Sequence, residues 1–146
     1  MDNRAQVVLD VIQAVQDRDA ATLERLIHDE VEFHEAASLP YGGTLKGKKV
    51  LFEQLQSEPE TSWIGTWGRL QTAEADRRFD PRVIAVSGDE VVVKYTTRGV
   101  SPDGERFESQ VLALYEVRDG KFARAQMFHY DTAALTAFLS RAQRKS

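Results

Sequence analysis

The stretch Val31-Glu32-Phe33-His34-Glu35 ends on an imidazole beside a carboxylate, the two side-chain types most often used to move protons near neutral pH. Val31, Phe33 and Glu35 alternate, so in a strand they share a face, and two of the three are strongly apolar. That face looks inward. Glu35 would then sit in apolar surroundings, which disfavour its charged form and raise its pKa toward the range of a general acid or base. The competing reading is a solvated glutamate at a strand end. His34 points to the opposite face and cannot pair with Glu35 in a regular strand; it is read as a residue that positions the following loop. His28, His34 and His129 show no metal-type spacing, and the chain has no cysteine to supply a thiolate ligand, a thiol nucleophile or a disulfide. Neither a metal nor a cofactor is expected. Gly42 and Gly43 lack the strand-to-helix context or lysine of a phosphate loop.

The elements that must position these groups divide the chain in two. Val8, Val11, Ile12 and Val15 recur at helical spacing with polar residues between them. Asp19 then offers a carboxylate to the first amides of a second helix over 20–27, placing His28 at a solvated helix end. A short strand over 31–33 runs into a loop where Pro40, Gly42 and Gly43 end regular structure, and a third helix follows from Lys48 with Gly47 at its entry. The second half reads as strands: 82–86 and 90–98 joined at Ser87-Gly88-Asp89, then 107–117 and 122–130 joined at Arg118-Asp119-Gly120. Asp131 caps a terminal helix carrying Leu135, Phe138 and Leu139. Trp63 and Trp67 are one helical turn apart, but Gly65 and Gly68 weaken a helix there, and 59–79 stays unassigned. Helices followed by an antiparallel meander make an α+β domain: a cone-shaped, curved, mostly antiparallel sheet wrapped around N-terminal helices, with a C-terminal helix.

The chain has 146 residues, 42% hydrophobic and 29% charged, the size and composition of one globular domain. Residues 1–146 are read as that domain, with Arg141, Arg144 and Lys145 in a frayed, solvated tail. A formal net charge of −4 argues against nucleic acid as a partner. No signal-peptide-like run and no membrane-length apolar stretch is present, which with the absence of cysteine points to the cytoplasm.

Four stretches together resemble the SnoaL-like and ketosteroid-isomerase-like branch of the nuclear transport factor two-like superfamily: AVQDRDAATLERLIHDEVEF, HEAASLPYGGTLKGKKVL, VIAVSGDEVVVKYTTRG and YEVRDGKFARAQMFHYDTAAL. The resemblance implies a cystatin-like α+β barrel, a pocket for a small apolar ligand and frequent dimerisation. It places Glu35 where ketosteroid isomerases carry their base, and puts Ala125, Met127 and His129 on the cavity face of the last strand. It also aligns Val11 and Ala113 with the two oxyanion donors of those enzymes, neither of which can hydrogen-bond, so steroid isomerisation is disfavoured. Val111 and Ala113 replace polar residues of relatives and make the cavity drier.

The expected catalytic residues are therefore Glu35 and His129. For His129 the alternative is a neutral ring satisfied by Tyr95, Tyr115 or a buried water. The expected ligand-binding set is Val11, Val15, Phe33, Tyr41, Trp63, Trp67, Tyr95, Val111, Ala113, Tyr115, Ala125 and Met127. Phe79 and Phe128 join the aromatic residues that either line the cavity or fill the core. Two functions remain: a cofactor-independent isomerase, cyclase or hydrolase, or a small-ligand carrier, sensor or dimeric scaffold without chemistry. Val92, Leu112 and Leu114 on the outer sheet face point to a homodimer.

Overall fold

The computed structural model describes residues 2–144, so Lys145 of the expected tail lies outside the described residues. Helix α1 (Asn3–Asp17) starts where the Asp2 carboxylate accepts from the Arg4 amide at 2.8 Å. It buries Val8, Val11 and Ile12 and stops at Arg18, which adopts the left-handed conformation (φ 57°). Asp19 caps α2 (Ala20–Leu26), accepting from the Thr22 amide at 3.1 Å. There the expected boundary shifts. Ile27 is already extended, is 1% exposed and pairs with Phe122, so the helix ends at Leu26 and strand β1 runs Ile27–Glu35. His28 thus belongs to a strand, its Nε2 3.3 Å from the exposed Asp119 carboxylate.

The loop after β1 returns as a short strand, β2 (Gly43–Lys46), which pairs antiparallel with β1 although its two turn-forming ends hid it from the sequence reading. Helix α3 (Lys48–Ser57) follows. The unassigned stretch contains α4 (Trp63–Trp67), a 3-10 turn (Gly68–Leu70) and α5 (Glu74–Arg77). Gly65 interrupts nothing in α4. A Cβ there would lie 2.0 Å from the Pro59 carbonyl oxygen, so glycine is what allows the helix to lie against that segment.

Strands β3 (Arg82–Ser87), β4 (Glu90–Val100), β5 (Arg106–Arg118) and β6 (Lys121–His129) form the expected meander, and α6 (Thr132–Arg144) closes the described chain. The Asp131 carboxylate caps α6, accepting from the Ala134 amide at 3.0 Å. The expected tail begins inside a helix. Arg141 lies within α6 and forms a two-pronged ion pair with Glu105, at 3.1 and 2.6 Å.

The six strands form one curved, unclosed sheet in the order β2-β1-β6-β5-β4-β3. Every pairing is antiparallel except β1 with β6. Two apolar clusters hold the molecule together. The larger joins α1 to the concave sheet face through Val8, Val11, Val31, Val91, Val93 and Tyr115. The smaller packs α6 onto α4 and the 3-10 turn through Trp67, Leu70, Leu135, Phe138 and Leu139. Gly99 belongs to its design, since a Cβ there would meet the Trp67 ring at 2.8 Å.

Candidate functional site

The parallel pairing of β1 with β6 is what assembles the site. Strands running in the same direction bring their C-terminal ends to the same edge, and Glu35 and His129 are the last residues of β1 and β6. Phe33 pairs with Ala125 and His34 with Gln126, so Glu35 follows on the face shared by Met127 and His129. The result is a hydrogen bond of 2.8 Å between His129 Nε2 and Glu35 Oε1. The two side chains are only 6% and 9% exposed. Glu35 is thus a partner of the His129 ring that the sequence reading did not name.

This pair stands in the wall of a cavity of about 990 Å³ between α1, α2, α3, α4 and the concave sheet face. Val11, Val15, Phe33, Tyr41, Trp63, Trp67, Tyr95, Tyr115, Ala125 and Met127 line it together with Glu35, His129 and Phe79. Three expected positions fall elsewhere. Val111 and Ala113 are each 1% exposed yet are not part of the lining. Ala113 pairs with Val93 on one side and Met127 on the other and is packed within the larger apolar cluster. Val111 lies opposite His129 and Tyr95, whose longer side chains reach the cavity instead. Phe128 alternates away from Met127 and His129 and is 53% exposed on the outer face.

His34 takes no part in this cavity. Its Nε2 lies 2.9 Å from Glu32 Oε1 and its Nδ1 3.2 Å from Thr44 Oγ1, so it ties β1 to β2 on the opposite face.

The tyrosines supply donors that sequence reasoning missed. Tyr41 Oη accepts from Trp67 Nε1 at 3.0 Å, which leaves its own O–H to donate elsewhere. Burial pushes the Tyr41 phenol far above its usual range, and the charge of Glu35 adds to the effect. Tyr95 and Tyr115 are raised likewise by burial, with Tyr115 and then Glu35 contributing next for Tyr95 and Glu35 for Tyr115. All three stay protonated at any physiological pH and are permanent donors. The signal was the position of Tyr41 in SLPYGG, directly downstream of Glu35, but nothing local indicates its bond to Trp67, 26 residues on. Among the described residues no set of three His, Asp or Glu side chains gathers as a metal site, and no helix is long and apolar enough to cross a membrane.

The sequence profile of the SnoaL-like domain matches residues 8–125. The chain belongs to the SnoaL-like family. No curated protein matches the sequence. Among solved structures, TerC, crystallised with polyporic acid, superposes with TM-score 0.75 at 24% identity, over 95% of this chain and 99% of that one. A Xanthomonas campestris protein of unknown function with a cystatin-like fold gives 0.74 at 25% identity, covering 94% and 98%. A Burkholderia pseudomallei protein of unknown function, described as NTF2-like, gives 0.74 at 20% identity, covering 95% and 98%. These neighbours share the fold of this chain over nearly its whole length.

Proposed function

We propose that this SnoaL-like chain is a cofactor-independent isomerase or cyclase acting on a small, largely apolar carbonyl compound, with Glu35 as proton acceptor and His129 as its partner. The observation that carries this reading is the buried 2.8 Å contact between Glu35 and His129 in the cavity wall. A carboxylate held by an imidazole on one oxygen keeps its second oxygen free to take a proton from a carbon next to a carbonyl. The C–H electron pair moves into the new C=C bond, the carbonyl oxygen becomes an enolate oxygen, and the proton rests on Glu35. Tyr41, with its oxygen already engaged by Trp67, donates to that enolate oxygen, and Tyr95 is the second candidate. They stand in for the donors that Val11 and Ala113 do not provide. Return of the proton to another carbon completes an isomerisation. Attack of the enolate carbon on a second carbonyl of the same molecule closes a ring, and the alkoxide so formed takes the proton held by Glu35.

The test uses β-tetralone, a bicyclic ketone with acidic α-hydrogens, in deuterated water. The protein accelerates hydrogen exchange at those carbons, followed by proton NMR, and Glu35→Gln loses that acceleration. Binding of β-tetralone with no accelerated exchange favours the second reading, a carrier or sensor, for which Val11 in the cavity wall is the supporting observation. A homodimer through the outer sheet face belongs to the same proposal. Lys94, Leu112 and Phe128 lie side by side across β4, β5 and β6, and Leu112 and Phe128 are 46% and 53% exposed. Sedimentation at micromolar concentration gives a dimer if this face is the interface, and Leu112→Glu gives a monomer.

A further inference from the structure

A second polar group lines the cavity and takes no part in the proton transfer. Arg18, Arg69, Arg77 and Lys46 all contribute to the wall, against two carboxylates, Glu35 and Glu58. The chain as a whole carries −4, so the lining reverses the sign of the molecule. Among the described residues, none of the three guanidinium groups has a carboxylate within ion-pair distance, whereas Arg106 and Arg141 elsewhere each have one and Arg98 has two.

The setting of Arg18 and Arg77 is built rather than incidental, and Arg69 adds an exposed guanidinium to the same wall. Arg18 follows α1 in the left-handed conformation, with its guanidinium carbon 5.6 Å from the centre of the Trp63 ring. Stacking on a ring leaves the N–H edge of a guanidinium free to bind an anion. Arg77 is fixed by donating from Nη1 to the carbonyls of Gln71 and Thr72, at 3.1 and 3.2 Å. Burial and then the positive charge of Arg77 lower the basicity of Arg18, with Glu58 opposing them, so two like charges are held close. An anion between them relieves that repulsion. Gln71, also in the lining, donates Nε2 to the Arg98 carbonyl at 3.0 Å, which fixes the orientation of its amide. Its Oε1 has no partner although the residue is 2% exposed. An acceptor closed off from solvent cannot bind an anion, so the anion site rests on the guanidinium groups and not on Gln71.

Aromatic rings connect this region to the acid-base pair. Trp63 lies 6.3 Å from Phe79, and Phe79 meets Tyr95 edge-on at 5.4 Å. Tyr95 in turn feels the charge of Glu35.

We propose that Arg18, Arg69 and Arg77 bind the anionic group of the ligand, which is an organic carboxylate whose apolar, ring-containing body lies along Trp63, Phe79 and Tyr95. This deepens the functional reading above, since the reactive carbon of such a ligand would face Glu35 and His129, but the anion site does not depend on that chemistry.

The experiment compares 2-naphthoate with its neutral counterpart 2-naphthylmethanol by isothermal titration calorimetry on the full chain. A charge-assisted hydrogen bond makes the carboxylate bind roughly ten-fold more tightly or better, with a preference that shrinks as salt is added. Arg18→Gln lowers the preference, Arg18→Gln combined with Arg69→Gln lowers it further, and the affinity for the alcohol stays unchanged. Arg77→Gln is judged only if its circular dichroism matches the parent, because Arg77 also fastens two carbonyls; the other two variants decide without it. Glu35→Gln keeps the full preference for the carboxylate even though it removes proton transfer, which separates this proposal from the catalytic one. Equal binding of the two probes, binding of neither, or a preference that survives Arg18→Gln with Arg69→Gln overturns it.

Discussion

Strand β1 carries the same chemical pair on each of its two faces. On the outer face His34 meets Glu32 at 2.9 Å; on the inner face His129 meets Glu35 at 2.8 Å. Distance does not distinguish them. Exposure does: the outer side chains are 24% and 35% exposed, the inner ones 6% and 9%. Water competes for the outer pair and screens it, so a contact between two residues of one strand contributes little, and the tie to β2 comes from His34 with Thr44. The inner pair lies where a charge is weakly screened and each partner depends on the other, the condition under which a carboxylate-imidazole contact can do acid-base work. The same two residue types therefore mean different things one residue apart in a strand.

Substituting the two carboxylates in turn gives the largest expected contrast. Glu35→Gln keeps the shape and removes the proton acceptor, and β-tetralone exchange should fall by about 10² to 10⁴-fold. Glu32→Gln should leave exchange within about two-fold, as expected for surface substitutions away from a site. Equal losses from the two variants would dissolve the distinction between the faces.

Stability sharpens it next. His129→Ala strips a buried carboxylate of its partner and should cost about 3 kcal/mol in urea denaturation. His34→Ala should move the midpoint far less, because water replaces the lost partner. A smaller effect belongs to Tyr41→Phe, which leaves the buried indole N–H of Trp67 without its acceptor at a cost of about 1–2 kcal/mol. The variant should also bind β-tetralone normally while exchanging it more slowly; unchanged exchange would pass the donor role to Tyr95.

The smallest expected effect is electrostatic and lies on the outer face. The His34 hydrogen bond, chiefly, with Lys46 assisting, holds the Glu32 carboxyl below its usual range. A carboxyl lowered on folding stabilises the fold above its unfolded pKa and loses that contribution as pH falls through the lower folded value. Carboxyl NMR titration should therefore place Glu32 below an ordinary glutamate, and His34→Gln should bring it back up. A Glu32 titration unmoved by that substitution would show that the outer pair is not formed in solution.

The inward face of β1 was legible because side-chain alternation is a local property: Val31, Phe33 and Glu35 announce it within five residues. The Asp2, Asp19 and Asp131 caps carry the same kind of local information, and the last two were read correctly. What stayed hidden is pairing at long range. Nothing in the 121–129 segment says that it runs parallel to β1, and without that pairing Glu35 and His129 remain two candidates rather than a pair. Gly65 was misleading for a related reason, since its use is set by the Pro59 carbonyl rather than by helix propensity. Val111 and Ala113 have the correct parity for the cavity, but parity does not separate buried core from cavity wall. The basic lining was invisible because Arg18 follows α1 whereas Arg69 and Arg77 lie in the 3-10 turn and α5 of the unassigned stretch, and only the fold brings them to one cavity.

The parallel seam between β1 and β6 also sets a timetable. Glu35 and His129 are separated by 94 residues, so a ribosome that has just released Glu35 must make nearly all of the remaining sheet before the imidazole exists. Until then the carboxylate is hydrated like any other, and closing so long a loop comes late for reasons of chain entropy. Reactivity is thereby tied to completion: a truncated or half-folded chain can present the apolar helices of the cavity, but it holds no acid-base pair with which to act on what they bind.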